Sequence, residues 1–591
     1  METVNSDIVI IGGGGTGLRA AIAIAEADPK LSVSLISKVV PMRSHTVAAE
    51  GGSAGVIRPD DSLDKHFDDT VSGGDWLCDQ DAVQYFVEHC TPEMVQLEHW
   101  GCPWSRHDDG TINVRFFGGM TVQRTWFAGD KSGFHILHTL FQTSFKYPSI
   151  TRYDEFFAAD LVVEDGRIRG VVAIEVATGK PFLFVCKALV MATGGAGRVY
   201  LQNTNAGIVT GDGMGLAYRH GAKLRDMEFV QYHPTCLAGT GILITEGCRG
   251  EGAILTNKNG YRYLQDYGLG PLDPWPRPKA MELGPRDRLS QAFWHEEQKG
   301  TTIDTPQASV VNLDLRHLGE KKILERLPQI TECARIFAGV DPVTQPIPVR
   351  PAVHYTMGGI ASDLTTATTL GGLYVAGECS SVGIHGANRL GSNSLAEITV
   401  FGRVAGEAAA AYARAAPAAS EASVRTRTQA EASVAHMTAL LHSETGERVA
   451  TLRDELGACM EAHVGIYRED AGLHKACDKI AELRDRYRRG VRLDDHARCF
   501  NTEWLSTIEL GFMLEVAEAM AYSAYNRKES RGAHVRLDEY KERDDVNFLM
   551  HTLATYNGDG PPTITYQPVV ITKSKPRIRS YGGAGKQAVL T

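Results

Sequence analysis

The sequence predicts an α/β fold in which a parallel-sheet domain is interrupted by an inserted α+β domain and followed by helices and a C-terminal tail. Three observations predict it. An apolar strand at the start runs through a glycine-rich turn into an alanine-rich helix. Two more apolar strands that end in glycine turns stand far apart, at residues 188–195 and 372–378. From residue 402 onward the apolar residues recur at helical spacing.

The opening strand, Asp7-Ile8-Val9-Ile10-Ile11, leads into Gly12, Gly14 and Gly17 in GxGxxG spacing, with Gly15 in the same turn. An amphipathic segment from Leu18 to Glu26 and a second strand near Val33–Ile36 complete a strand-turn-helix-strand unit. Glycines here let the backbone approach a pyrophosphate, and the helix N-terminus offers free N–H groups. A lone GxGxxG is weak, but in this context dinucleotide binding outweighs a simple turn. The second strand ends in Ser37-Lys38, where an NAD-binding unit carries an acidic residue. Hydroxyl and ammonium groups suit hydroxyl or phosphate oxygens, which points to FAD. Ala188–Gly195 and Gly372–Glu378 add two strands of the same sheet, and Glu378 is placed to accept from ribitol hydroxyls.

The unit is therefore read as a Rossmann-like FAD-binding domain in two parts, residues 1–229 and 353–412, with a capping (substrate) domain at 230–352. A helical domain over 413–545 is expected from blocks at Gly402–Ser420, Val424–Arg468, Ala471–Arg489 and Asn501–Arg527, with charges on solvated faces. The C-terminal segment, 546–591, holds strand-like runs at Thr563–Tyr566 and Val569–Ile571, then basic Lys573, Lys575, Arg577 and Arg579. Those four read as a solvated terminus or as a contact to a partner or headgroups. Pro271–Pro278 reads as an exposed loop.

At 591 residues the chain exceeds one hydrophobic core, and its net charge of -10 lacks the basic excess of nucleic-acid binders. No nucleic-acid partner is expected. Its 11 cysteines contain no Cys-x-x-Cys, so neither a zinc site nor an iron–sulfur cluster is expected, and the thiols read as reduced and cytosolic. The first strand leaves no room for a signal peptide, and no apolar run reaches the roughly 18 residues of a membrane-spanning helix.

The run from Ser37 to Gly52, SKVVPMRSHTVAAEGG, resembles the flavin attachment segment of the succinate dehydrogenase/fumarate reductase flavoprotein family. The likeness continues through Gly73–Cys78, Trp100–Ser105, Phe229–Gly252, Ser394–Glu397 and Asp544–Phe548, and covers essentially the whole chain. It implies a covalent bond from His45 to the flavin 8α carbon, chemistry that suits a neutral imidazole. It also implies flavin contacts from Ser44, Thr46, Glu50, Gly51, Gly52, Phe157 and Ala158. Further contacts are implied from Asp212, Met357, Gly358, Arg389, Ser394 and Leu395. Non-covalent L-aspartate oxidase shares the fold, and the Ser44-His45-Thr46 segment argues against it. A flavin-binding scaffold without catalysis is the alternative of another class.

Reducing a dicarboxylate alkene needs cations for two carboxylates, a hydride source and an acid. Loops around His233, Thr245-Glu246, Arg249, Arg286, His354 and Arg389 offer suitable groups, and arginine matches carboxylate geometry with paired donors. The resemblance implies that His233, Thr245, His354 and Arg389 bind the carboxylates of fumarate or succinate while Phe117 packs against the substrate. It also implies that Arg286 gives the proton, fed by Glu246 and Arg249, and that reduced flavin N5 gives the hydride. Two cysteines stand out: Cys236, where the family has glycine, is expected to crowd the mouth or to meet thiol reagents, and Cys248 beside Arg249 is expected to favour its thiolate. Glu50 replaces the glutamine of succinate dehydrogenases, and its charge is expected to lower the flavin potential and favour fumarate reduction over succinate oxidation. The family further implies an iron–sulfur subunit and a membrane anchor using quinol or menaquinol, with this chain peripheral on the cytoplasmic face of the membrane.

Overall fold

The computed structural model describes residues 1–269, 281–417 and 422–579, so the proline-rich stretch 271–278 lies outside the described residues. Strand β1 (Ile8–Ile11) is buried along its whole length, as a central strand covered on both faces must be. Helix α1 (Gly15–Ala27) follows, then β2 (Val33–Ser37), β3 (Ile150–Asp154) and β4 (Ala188–Met191). With Leu373–Val375 they form one parallel sheet, in the order 373–375, β4, β1, β2, β3. Gly12 sits at φ +111, and a Cβ there would lie 2.1 Å from the Ala192 carbonyl. A Cβ on Gly17 would lie 1.8 Å from the Gly12 carbonyl, so α1 can start against β1 only with glycine at both places. An additional strand, Glu2–Asn5, pairs with Lys180–Val185 outside this sheet.

The chain leaves this body through Leu224–Arg225 and returns through Gly359–Ala361, and these two short strands are antiparallel neighbours. Between them β5 (Val230–Cys236), α2 (Glu246–Glu251), β6 (Ile254–Thr256), α3 (Arg286–Gln298), β7 (Ser309–Asp314) and β8 (Ile347–Thr356) enclose a core of their own. Their sheet runs β5-β8-β7-β6, all antiparallel. Cys236 and Cys248 are fully buried in this region. Burial raises both thiols, and at Cys248 the Glu50 carboxyl adds to it while Arg249 opposes without prevailing. Two expectations are therefore corrected: Cys236 does not meet solvent, where thiol reagents would reach it, and Cys248 holds no favoured thiolate; Cys236 Sγ does lie 3.9 Å from His233 Nδ1.

Helix α4 (Asn393–Ala415) starts before the expected Gly402 and stops short of Pro417, which has no N–H to continue it. It lies against α1, where a Cβ on Gly406 would fall 2.4 Å from the Ala20 carbonyl. The single block expected over 424–468 is two helices, α5 (Val424–Leu441) and α6 (Val449–His463), separated where Gly446 takes φ +108. Helices α7 (Asp470–Arg489) and α8 (Thr502–Asn526) follow. The charges of α8 are not a solvated face: Glu509 pairs with Lys38 at 2.6 Å, Glu515 with Arg219 at 2.6 Å, and Glu518 with Arg484.

The tail returns to the exit and entry strands of the insertion. Strands β9 (Met550–Thr555) and β10 (Thr563–Pro568) extend their sheet, β9 pairing with Leu224–Arg225. Val569–Ile571 forms no strand; instead the Val570 N–H donates to Asp79 at 2.9 Å. The basic residues beyond it bind the body, Lys573 to Asp64 at 2.6 Å and Arg579 to Asp287 at 2.7 Å, with Arg577 over the Trp76 ring. No helix among the described residues is long and apolar enough to cross a membrane.

His551 of β9 is fully buried between Asp226, at 2.6 Å, and Asp79, at 3.1 Å. Burial alone would lower its pKa, but the two carboxylates outweigh it and raise the imidazole to about 9. The unfolded value is about 6.5, so this contribution is complete below pH about 6.5 and is lost as pH rises through about 9. His551→Gln is expected to lower the melting temperature at pH 6 and to have much less effect at pH 10, a difference of at most about 3 kcal/mol. Equal losses at both pH values would contradict the ion-pair role. For the thiols, brief alkylation read by mass spectrometry should modify exposed Cys499 and leave Cys236 and Cys248 untouched until the protein unfolds.

Candidate active site

A cavity of about 1320 Å³, including its mouth, runs from the α1 N-terminus to the inserted region. Its wall holds Gly12, Gly14, Gly15, Ser37, Lys38, Ser44, His45 and Thr46 at one end. Phe157, Ala158, Asp212, Glu378, Ser394 and Leu395 line the remainder, with His354 and Tyr355 where it meets the insertion. A dinucleotide fits this wall: the glycine turn leaves no side chain in the way, and Ser44 Oγ and Thr193 Oγ1 are buried without protein partners. Burial raises the Glu378 carboxyl to about 7, while Oε1 accepts the Thr356 N–H at 3.0 Å. Burial lowers His45 to about 4, so its imidazole is neutral, and Nδ1 accepts the Ala206 N–H at 3.4 Å. Lys38 lines the wall, but its ammonium binds Asp212 and Glu509, each at 2.6 Å. Burial would lower it and the two carboxylates raise it, so it stays charged and committed to them rather than open to phosphate.

Seven expected flavin contacts stand off this wall. Glu50, Gly51 and Gly52 continue past Ala49, where the lining ends, and Met357 packs with Leu77, Phe229, Tyr355 and Ala387. Gly358 is backed by the Asp226 carbonyl, 2.4 Å from where a Cβ would sit. Gly17 and Arg389 are also outside the wall, Gly17 because it packs on β1. Glu50 is corrected further: burial, then Asp130, raise its pKa well above the usual range despite Arg115. Burial thus favours its neutral form, and Oε2 is unpartnered. A Cβ on Gly51 would lie 2.6 Å from the Phe117 ring, so Gly51 makes room for that aromatic, which is buried with Met120 and Leu390.

The polar groups expected to act on substrate do converge. β5 and β8 pair side by side, with register shifts on either side of Tyr232-His233, and bring the rings of His233 and His354 to 5.1 Å. Thr245 caps α2, accepting the Gly247 N–H at 3.3 Å, and Glu246 opens that helix. Arg286 opens α3 after Pro285 and donates Nε and Nη2 to Glu246 Oε2 at 2.9 and 2.8 Å. Glu246 Oε1 accepts the Gly118 N–H, and Arg249 Nη2 stands 3.7 Å from Oε2. Arg389, beyond β8, borders a second small cavity with Arg286, Gly118, Gly119 and Gly391.

Electrostatics follow from burial and crowding. Burial raises the Glu246 pKa, but Arg286 and Arg249 outweigh it, and the group is a carboxylate. Burial lowers Arg249, with Arg286 adding to it against Glu246. Burial and Arg286 bring Arg389 down to about 10, still protonated at neutral pH. His233 and His354 are pushed well below the usual imidazole range by burial and by Arg286, so both are neutral. Thr204 Oγ1 lies 2.8 Å from His354 Nδ1, and His233 Nδ1 faces Thr235, 3.2 Å from its carbonyl oxygen and 3.3 Å from its amide nitrogen.

Sequence reading passed over Gln231 as a functional residue. Fully buried, its Oε1 accepts from Arg286 Nη1 at 3.1 Å and from Arg389 Nη2 at 3.2 Å. It joins the two guanidinium groups; the only signal was its place two residues before His233. A cavity for a dinucleotide thus abuts a buried cluster of three arginines, two neutral histidines and one carboxylate. Such a cluster can hold a small dianion, place charge where a carbanion develops, and pass a proton between Glu246 and Arg286.

Comparison with known proteins agrees. A family model described as an FAD binding domain matches residues 7–395, and one described as the fumarate reductase flavoprotein C-terminus matches 453–581. The fumarate reductase flavoprotein subunit of Proteus vulgaris is 62% identical over 586 residues, 99% of this chain and 98% of that one. A mutant of the Escherichia coli quinol fumarate reductase flavoprotein superposes with TM-score 0.96 at 60% identity, covering 99% of this chain and 100% of that one. A quinol-fumarate reductase solved with menaquinol molecules gives TM-score 0.95 at 60% identity, covering 98% and 100%. The succinate dehydrogenase flavoprotein subunit of Rickettsia bellii is 39% identical over 97% of each chain. With both of its models matched and this identity held over nearly its full length, the chain belongs to the fumarate reductase flavoprotein family.

Proposed function

We propose that this chain is the flavoprotein subunit of a membrane-associated quinol:fumarate reductase and reduces fumarate to succinate. The observation that carries the reading is Arg286 held by Glu246 in an arginine-rich pocket beside the FAD cavity, whose wall residues His354 and Tyr355 lie against His233 and Arg389. FAD, carried covalently on His45 and reduced, supplies the hydride. Arg389, His354, His233 and Thr245 bind the two carboxylates, and Phe117 sets the substrate's orientation. Residues 230–352 act as the cap on FAD-binding parts 1–229 and 353–412, followed by a helical domain and tail.

Polarising one carboxylate makes the far alkene carbon electron-poor, and hydride arriving there leaves carbanion character on its neighbour. Arg286 protonates that carbon. An arginine is a weak acid, with a pKa above about 12, yet it is strong enough for so basic a carbon. The Glu246 carboxylate, in contact with Arg286 and Arg249, takes a proton from the Arg249 side and passes it to the deprotonated Arg286, which ends the cycle charged again. Hydride plus proton add across the double bond, and fumarate becomes succinate.

Electrons reach the flavin from an iron–sulfur subunit and a membrane anchor oxidising a quinol such as menaquinol, so the chain sits peripherally on the cytoplasmic face of the membrane. The 62% identity to a fumarate reductase flavoprotein against 39% to a succinate dehydrogenase flavoprotein supports the reductive direction. Glu50 carries no argument for direction, because burial favours its neutral form.

His45→Ser should abolish the fluorescent flavin band of the acid-denatured chain on a gel; a band that persists in the variant moves the attachment elsewhere. Arg286→Gln should cut fumarate turnover with reduced viologen by about 10²–10⁴-fold while FAD content stays unchanged. Turnover within tenfold of wild type would remove Arg286 from the proton step.

A further inference from the structure

We infer that Tyr355, held by Glu397 and His385, is a positioning residue for Arg389. The assignment rests on the function proposed above, and nothing in that function uses these three residues. Arg389 is buried, yet no carboxylate pairs with it among the described residues. Its guanidinium donates to two neutral oxygens, Ser394 Oγ at 3.0 Å and Gln231 Oε1 at 3.2 Å, and Nε meets no acceptor. A buried cation without a partner is costly. A carboxylate placed against it would remove that cost, but would occupy the N–H edges that a substrate carboxylate needs and would have to be displaced at every binding event.

The fold meets both demands from the flat side of the guanidinium. Arg389 Cζ lies 4.3 Å from the centroid of the Tyr355 ring, which leaves the in-plane donors free. Tyr355 follows His354 on β8, so the same strand supplies one carboxylate ligand and the support of another. The ring is itself fixed. Its hydroxyl donates to Glu397 Oε2 at 2.6 Å, and His385 Nε2 lies 2.8 Å from the same oxygen. All three side chains are buried, and the Tyr355 and His385 rings meet edge-on at 87° with centroids 5.3 Å apart.

A phenol hydrogen-bonded to a carboxylate has a more electron-rich ring, which strengthens its hold on a cation. Glu397 therefore serves Arg389 as a counter-charge at one remove: it acts through the ring face and leaves the donors open. Burial, reinforced by Glu397, keeps the phenol neutral well past its ordinary range, so the hydroxyl remains a donor. Glu397 belongs to α4, whose first turn also carries Ser394, so one helix places both the side contact of Arg389 and the anchor of its ring.

The test uses the assembled complex with reduced viologen as donor, measuring kcat and KM for fumarate and the Kd for succinate from the flavin absorbance change. Tyr355→Phe keeps the ring and loses the anchor; Glu397→Gln keeps a hydrogen-bond acceptor and loses the charge. Each should raise KM and Kd about 3- to 10-fold, with kcat changed less than about threefold and FAD content unchanged. Because both act through one hydroxyl, the double variant should be no worse than the poorer single one. Tyr355→Leu, which removes the ring, should raise KM further, to about 10- to 30-fold.

A Tyr355→Phe enzyme with KM and Kd within twofold of wild type overturns the assignment, as does a double variant whose effect is the product of the two singles. Tyr355→Phe decides the matter alone if the other variants fail to accumulate. A wild-type complex without fumarate turnover would instead overturn the proposed function, and normal wild-type turnover with unmoved variants would overturn only the role of Tyr355.

Discussion

Arg249, Arg286 and Arg389 lie buried in one pocket with, among the described residues, a single directly bonded carboxylate, Glu246. Three cations against one anion is an expensive arrangement out of water, and the surrounding structure is organised around it. Both nearby histidines are held neutral, so they add donors without adding charge. Other guanidinium donors go to neutral oxygens, Glu282 O from Arg249, Gln231 Oε1 from Arg286 and Arg389, and Ser394 Oγ from Arg389. Among the described residues, no second carboxylate is bonded directly to this cluster to cancel the excess. A small dianion is the complement such a site lacks, which is why its chemistry reads as dicarboxylate chemistry rather than as a structural ion-pair network.

Holding that excess in place requires rigid walls, and these come from distant parts of the chain. Strands β5 and β8, helices α2 and α3, the Phe117 loop and the start of α4 each contribute one or two side chains. The tail then ties the insertion to the body. Strand β9 pairs with the strand that leads into the insertion, His551 bridges Asp226 and Asp79, and Arg579 reaches Asp287 beside Arg286. A second buried network, Glu228–Arg527–Glu529–Arg531, lies fully enclosed behind it. Unlike the arginine pocket, this network meets its guanidinium groups with carboxylates, and Arg531 also reaches Asp545 at 2.9 Å. It supports the shape of the molecule and leaves nothing for a ligand to complement.

The glycine turn, α1 and the sheet strands were legible along the chain because each depends on neighbours a few residues away. Arg286, Glu246, His233 and His354 were placed in one site through their motif context, and the structure does bring them together. Misreadings share another cause. Glu50 was assigned a charge from its residue type and Cys248 from the adjacent Arg249, whereas burial governs both. Glu509 on α8 looked solvated because its partner, Lys38, is remote in sequence. Gln231 and Tyr355 gave no signal, since a neutral side chain shows its role only through what it touches.

The sequence by itself determined the parallel-sheet body, the glycine-lined turn at its edge and the kinds of side chain available for a dianion, because local spacing and residue chemistry suffice for these. Only the tertiary structure decided which of those groups are charged, which face the flavin cavity, and how three arginines share one carboxylate. Each of these depends on burial and on distances between residues far apart in the chain, and neither quantity is written in any one segment.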